Sequence, residues 1–238
     1  NGVRMVSRSF RKFFNLDEVP DSEWQTLLNE ARDKPVVIRA KEDGAMIQYF
    51  EHKGQLCATT RGRLETQYVS TALGLFTSSD FAIAANQYGI ELMTVVVELV
   101  HPISAVHVDY SGEKSVYLLA AYDKGGEEIP AVVLERMFMK ICDGGRSHHL
   151  RMPLQRVMTL QQARDEINDR SVMNKEGWVA FVGSGPRRRR IKLKYISYIG
   201  EMVKSKLSYK YVMNCLCKDR VDYMFHTLPE EIREVAYR

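Results

Sequence analysis

Several residues in this chain have side chains whose type and spacing suit phosphate chemistry. Lys41 stands two residues before Asp43 in Lys41-Glu42-Asp43-Gly44, at a charged turn between the strand-like run of Val36, Val37 and Ile38 and the apolar run that resumes at Ala45. A lysine there becomes an amine nucleophile once nearby charge and partial burial lower its pKa from the usual ~10.4. Lys192 and Lys194 alternate with Ile191, Leu193 and Tyr195. Strand periodicity therefore sends both lysines to one face, about 6.6 Å apart. Two ammonium groups so placed repel unless they meet water or an anion. Glu98 interrupts the apolar run T-V-V-V-E-L-V from Thr94 to Val100. A lone carboxylate in such a strand is costly unless it is bonded or faces a cleft. Alternation puts Val96, Glu98 and Val100 on one face and Val97 and Leu99 on the other. Glu176 heads a further strand, E-G-W-V-A-F-V-G, ending at Gly183.

Each feature has a plain structural alternative. K-x-D-G can be the solvated tip of a hairpin with Gly44 supplying a loose backbone, Arg61 a surface arginine, and Glu176 a residue of a strand-end turn. Their order along the chain says more. Lys41-Glu42-Asp43-Gly44 resembles motif I of the covalent nucleotidyltransferases, which are ligases and mRNA capping enzymes. V-E-L-V-H-P around Glu98 resembles motif III, E-G-W-V at Glu176 resembles motif IV, and Lys192-Leu193-Lys194 resembles motif V. Arg61 beside Gly62 is similar to the basic string that follows motif I. The string R-K-F-F-N-L, from Arg11 to Leu16, resembles a segment upstream of motif I in the phage-type RNA ligase 1 family. With a helical C-terminal stretch it narrows the resemblance to that type, over Arg8 to Tyr195. An arginine motif found still further upstream in that family would fall before Asn1.

The resemblance implies an α+β nucleotidyltransferase (ATP-grasp-like ligase) fold of antiparallel sheets flanked by helices. Residues 1–199 would form the adenylylation domain and 200–238 a small helical segment. It implies an ATP-dependent RNA ligase of RNA repair. Lys41 would take AMP from ATP, the AMP would pass to a 5′-phosphate RNA end, and a 3′-hydroxyl end would displace it. ATP and Mg²⁺ (or Mn²⁺) would be the cofactors, and a monomer is expected. Lys41, Asp43, Lys192 and Lys194 would be catalytic. Lys12 would reach the leaving pyrophosphate, Arg61 the phosphates or sugar, and Glu98 a ribose hydroxyl. Gly44 would also belong to the nucleotide site, and adenine would sit near Ile38 and Val179. Glu176 and Asp43 would help hold the metal. The run Arg187, Arg188, Arg189 and Arg190 is either an RNA contact or a basic loop. Two rivals remain: a capping guanylyltransferase, which would prefer GTP, and a non-catalytic RNA-binding module.

These residues need elements to position them. At 238 residues and 27.4 kDa the chain can bury one core, or one core with a small appendage. Apolar residues make up 45% and charged residues 27%, which suits a soluble globular protein. No apolar run reaches the ~20 residues of a membrane span, and no signal peptide is evident. Asn1-Gly2 in place of a starting methionine implies an excised piece. Cys57, Cys142, Cys215 and Cys217 form no C-x-x-C pair, which argues against zinc and fits a reducing, cytoplasmic compartment. From Arg187 onward, 13 Lys+Arg stand against 6 Asp+Glu, so a chain of net charge +4 concentrates its basic character there. Arg8, Arg11 and Lys12 alternate with Phe10, Phe13 and Phe14, a pattern of core aromatics with snorkelling cations. The sequence predicts helices over Ser22–Arg32 (capped by Ser22), Leu64–Leu75, Asp80–Tyr88 (stopped by Gly89), Val132–Ile141 and Thr159–Asn168 (capped by Thr159). Helices are also expected from Glu201 and from Leu228-Pro229. A turn at Lys53-Gly54 should open a strand over Gln55–Gly62. Ser111 to Lys114 should join Ala105–Tyr110 and Ser115–Tyr122 as a hairpin.

Overall fold

The computed structural model describes residues 5–19, 22–77, 79–144, 148–206, 209–222 and 224. The chain forms two compact units, each built from separated stretches. One comprises Asn1–Lys12 and Glu42–Leu154, the other Phe13–Lys41 and Gln155–Arg238. In chain order the strands are β1 (Phe14–Asn15), β2 (Val36–Lys41), β3 (Ala45–His52), β4 (Gln55–Thr59), β5 (Leu92–Val100), β6 (Ser115–Asp123), β7 (Leu150–Arg151), β8 (Gln155–Met158), β9 (Gly177–Val182) and β10 (Arg189–Lys194). The helices are α1 (Ser22–Ala31), α2 (Gln67–Leu75), α3 (Ser79–Asn86), α4 (Ala131–Asp143), α5 (Leu160–Asn168), α6 (Ile196–Lys206) and α7 (Tyr209–Cys217). None of the described helices is long and apolar enough to cross a membrane.

The unit that contains Lys41 is built on a sheet of order β1-β10-β9-β2-β8, antiparallel except for the β1–β10 pair at its edge. Alternation splits it cleanly. Ile38, Trp178, Ala180, Ile191 and Leu193 are buried on the face that packs with α1 and α5. Burying each large apolar side chain contributes about 1.5–3 kcal/mol. The register places Val37, Arg39 and Lys41 in line with Phe181, Val179 and Gly177, and these with Arg190, Lys192 and Lys194. That second face is the charged one. Helix α5 starts as expected: Thr159 Oγ1 accepts from Gln162 N–H at 3.1 Å, and the Gln162 side chain accepts from Thr159 N–H at 2.9 Å. Its Glu166 then accepts from the Tyr195 hydroxyl at 2.6 Å and from Trp178 Nε1 at 3.2 Å, tying helix to sheet. Burial, reinforced by Glu166, pushes the Tyr195 phenol above its ordinary value.

The other unit has a sheet of order β4-β3-β5-β6-β7, again with one parallel pair, β6–β7, at an edge. Val95, Val97 and Leu99 enter a core with Ile47, Tyr49, Leu118, Phe76, Phe81, Leu134 and Met137, which joins the sheet to α2, α3 and α4. Tyr49, Phe76 and Phe81 pack edge to face, with ring centres 5.6 and 5.9 Å apart. Val96 lies in a separate cluster with Ala120, Tyr122, Met46 and Phe10, as the alternation predicts. The stretch from Ser7 to Phe10 lies over this face. Ser7 Oγ donates to Gln48, Arg8 N–H donates to Thr94 Oγ1, and the Arg8 guanidinium stands over Tyr122.

Four expectations change. β2 and β3 do not form a hairpin, because β2 is paired on both edges by β8 and β9 while β3 is paired by β4 and β5. Ala105–Tyr110 is not a strand, although the turn at Ser111-Gly112 forms and β6 follows it. β6 already has partners on both edges, and the backbone of 106–108 is bonded elsewhere, as described below. β4 ends at Thr59, where the hydroxyl of Thr59 donates to the Arg63 carbonyl and turns the chain. Ser22 is the first helical residue of α1, and the position before it lies outside the described residues. The helix expected at Leu228-Pro229 also lies outside them.

Gly177 is the tightest point of the Lys41-bearing sheet. Its φ is 155°, and a Cβ there would stand 2.0 Å from the Leu193 carbonyl oxygen and 2.8 Å from Lys194 Cα. Backbone cannot yield as a flexible side chain can. Gly177→Ala is expected to lower the unfolding free energy by about 2 kcal/mol or more, read from urea midpoints at constant slope.

Candidate functional site

Within the Lys41-bearing unit, β2, β9 and β10 put the sequence-predicted residues on adjacent strands. Lys41 and Lys194 are both in register with Gly177, one on each side of it, and Lys192 is in register with Val179. With no side chain at Gly177, only backbone separates the two lysine positions. Glu176 precedes β9, is buried, and its carboxylate lies 2.7 Å from Lys41 Nζ. Its carbonyl accepts from Tyr195 N–H at 3.0 Å, so the residue is fixed at both backbone and side chain. An ammonium group paired in this way has no lone pair. To act as a nucleophile, such an amine must first lose a proton and its bond to Glu176.

One expectation for this unit needs correction. Ile38 and Val179 cannot line one surface. Ile38 is in register with Ala180, fully buried on the helix-packed face, whereas Val179 shares the face of Lys41. Val37 is the β2 aliphatic residue on the Val179 side. Three of the four arginines divide by strand parity. Arg189 Nη2 lies 3.3 Å from Glu23 of α1, while Arg188 and Arg190 stand over Phe181.

Asp43, Gly44, Glu98, Arg61 and Lys12 belong to the other unit. Asp43 is 4% exposed. Its Oδ2 accepts from the backbone N–H groups of Val106, His107 and Val108 at 3.3, 2.6 and 2.9 Å. Charge-assisted bonds of this kind contribute roughly 1.5–3 kcal/mol each, with the two short ones dominating. They explain why residues 105–110 form a loop with no ladder of their own. Asp43 N–H donates to the Tyr110 hydroxyl at 2.7 Å, and that hydroxyl donates to Glu42 at 3.1 Å. Burial pushes the Tyr110 phenol far above its ordinary range, which keeps it a donor. The peptide following Lys41 is thus clamped by a loop more than sixty residues away. Neither Tyr110 nor this loop was foreseen, since no local pattern marks a carboxylate that will be filled by distant backbone.

Gly44 is required for a reason other than a loose turn. A Cβ on it would meet the Leu99 carbonyl oxygen at 2.2 Å, at the end of β5 where the Ser104 hydroxyl donates to the same oxygen at 2.7 Å. Glu98 is half-buried, in register with Met46 and Tyr117. Arg61 is exposed in the bend after β4, and Lys12 is exposed ahead of β1.

No cluster of three acidic, histidine or cysteine side chains able to cage a metal exists among the described residues. One buried carboxylate, Glu176, still suits Mg²⁺, which is usually held by one or two carboxylates together with substrate phosphates and water.

The loop clamp has a direct test. Asp43→Ala should speed hydrogen exchange at Val106, His107 and Val108 and cost about 2–4 kcal/mol of stability, since it orphans three backbone donors.

Residues 1–124 match a family described as RNA ligase. A curated protein of Thermovibrio ammonificans, described as "Putative RNA ligase", is 27% identical over 194 residues, covering 80% of this chain and 47% of that protein. The chain therefore spans about half the length of the curated relative it matches. Among solved structures, a Naegleria gruberi RNA ligase mutant with AMP and Mn superposes with a TM-score of 0.62 at 11% identity, over 84% of this chain and 61% of that one. An archaeal ATP-dependent RNA ligase superposes with a TM-score of 0.59 at 17% identity, over 97% of this chain and 61% of that one. At these identities the likeness is one of fold, and the fold is the expected α+β one.

Proposed function

Because the chain belongs to this RNA ligase family, we propose that it is an ATP-dependent RNA ligase that joins 5′-phosphate and 3′-hydroxyl RNA ends through a lysyl-AMP intermediate. The observation that carries this reading is the row Lys41–Gly177–Lys194 with Glu176 at 2.7 Å from the amine. Two lysines in one strand register, with a carboxylate beside the first, support the roles of nucleophile, phosphate-binding cation and metal-holding carboxylate.

Lys41 Nζ, once deprotonated, attacks the α-phosphorus of ATP. A P–N bond forms, the nitrogen sheds a second proton, the bond to the bridging oxygen breaks, and pyrophosphate leaves with that electron pair. An oxygen of the RNA 5′-phosphate then attacks the same phosphorus, and the amine departs and regains a proton. Finally the 3′-hydroxyl attacks the RNA 5′-phosphorus, loses its proton and expels AMP. Lys192 and Lys194 offset charge on the α-phosphate in each step. Lys12 serves the pyrophosphate, Arg61 the phosphates or sugar, Glu98 the ribose, and Val179 a wall for adenine. Glu176 would hold Mg²⁺, which supplies further neutralisation of phosphate charge. Asp43 keeps the peptide after Lys41 in place, and its role toward a metal-bound water is secondary to that clamp. Residues 1–199 act as the adenylylation domain with 200–238 appended. Described cysteines that are all free thiols support a reducing, cytoplasmic setting.

Incubation with labelled ATP and Mg²⁺, followed by a denaturing gel, should give a covalent adduct that Lys41→Ala abolishes. Labelling by GTP alone would move the chain to the capping class, and RNA binding with no adduct to the non-catalytic module. A mutant that labels at normal yield would mean another nucleophile.

The steps also separate. RNA carrying a pre-formed 5′-adenylate needs no lysine nucleophile, only a pocket that aligns phosphate and 3′-hydroxyl. Lys41→Ala should still join such RNA, whereas Lys194→Ala should be impaired on both substrates by tenfold or more, on the order of the loss of one oxyanion donor or cation. Full recovery of Lys194→Ala on adenylylated RNA would remove it from the sealing step.

A further inference from the structure

On the face that holds Lys41, β10 presents a cation at every second position: Arg190, Lys192 and Lys194, with Arg188 just ahead. Each of the four stands over an aromatic ring. Arg188 and Arg190 carry their guanidinium carbons 4.3 and 5.3 Å from the centre of Phe181. Lys192 Nζ is 5.0 Å from the Phe13 ring centre, and Lys194 Nζ is 5.9 Å from that of Tyr198. Arg39 of β2 adds a third guanidinium to Phe181 at 5.4 Å, and its Nε donates to Gln155 at 2.9 Å. Phe181 and Arg39 are buried, while Arg188 and Arg190 are half-exposed above them.

A long cation gives up rotamer freedom when it is fixed, and stacking on a ring offsets that loss. The rings therefore hold the row in an ordered line with a step of about 6.6 Å. A line of ordered cations is the part of a single-strand binding site that tracks the phosphate backbone. The planar guanidiniums at its end suit two-pronged binding of phosphate oxygens. From Lys194 to Arg190 the row runs about 13 Å, longer than the phosphates of one nucleotide anchored at Lys194.

We propose that Arg188, Arg190, Lys192 and Lys194, with Arg39 and Phe181 at the end remote from Lys41, form the track that grips the phosphate backbone of the single-stranded RNA end to be joined. The choice of RNA rests on the ligase reading, while the phosphate track rests on the geometry. The test is fluorescence anisotropy with a labelled, 5′-phosphorylated single-stranded oligoribonucleotide, without ATP, from about 50 to about 200 mM salt. Arg188→Ala/Arg190→Ala should weaken binding about tenfold or more and flatten the salt slope by about 0.7 for each cation removed. Arg188→Lys/Arg190→Lys should keep the slope but lose several-fold in affinity. Phe181→Leu should weaken binding with the slope kept, because the charges remain while their order is lost. Unchanged affinity and slope in a folded double-alanine variant overturn the proposal. So does weakened ATP binding with RNA affinity intact, which would give the cluster to the nucleotide. Should the double-alanine variant not fold, the double-lysine variant decides, and unchanged affinity there overturns the guanidinium role. Absence of a lysyl-AMP adduct in the intact protein, with these RNA effects present, would defeat the ligase reading and leave the track standing.

Discussion

Everything proposed for Lys41 depends on a missing side chain. β9 is flanked on both edges, and at Gly177 the backbone of β10 comes close enough to exclude even a methyl group. That closeness sets Lys41 and Lys194 on either side of one bare position. It also fixes the period-two alternation of three strands at once. Apolar residues go to the helices, and cations go to the open face. A slip of one residue in β10 would bury Lys192 and Lys194 and expose Ile191 and Leu193, so the core enforces the register that the chemistry needs.

The carboxylates are handled differently. Glu176 is paired with a side-chain amine, and Asp43 with backbone. A buried charge must be matched in one of these ways, or its desolvation would cost several kcal/mol. Pairing with Lys41 is reversible and competes with other cations for Glu176. Pairing with three N–H groups is closer to permanent, and it converts residues 105–110 from a strand candidate into a buttress.

Much of this was legible in the sequence because it is local or periodic. The alternation around Lys192, the Thr159–Gln162 cap, the Lys53-Gly54 turn and the two faces of β5 all follow from neighbours a few positions apart. The failures share a cause. Whether Val36–Lys41 pairs with the next strand or with strands from residues 155–182 is decided by long-range partners that no short window contains. The same holds for the acceptor that captures Val106–Val108 and for the assignment of Ile38 to the helix-packed face. Arg189 differs from Arg188 and Arg190 only by strand parity, which could have been counted once the strand was taken to begin at Arg189. Gly44 was rightly marked as special, but for turn freedom rather than for the Leu99 carbonyl pressed against it.

The two units interleave along the chain, with crossings after Lys12, Lys41 and Leu154. No uninterrupted fragment contains either unit without also carrying part of the other. A ribosome that has added Leu154 has synthesised all of the first unit but only Phe13–Lys41 of the second, whose β2 then lacks β8 and β9. The strand that carries Lys41 must wait for later-made sequence before it can pair. For the same reason, Lys41 and Asp43 cannot be transplanted into another protein as a cassette. Exchange of a continuous gene segment would carry the motif and leave behind the strands and the loop that hold it.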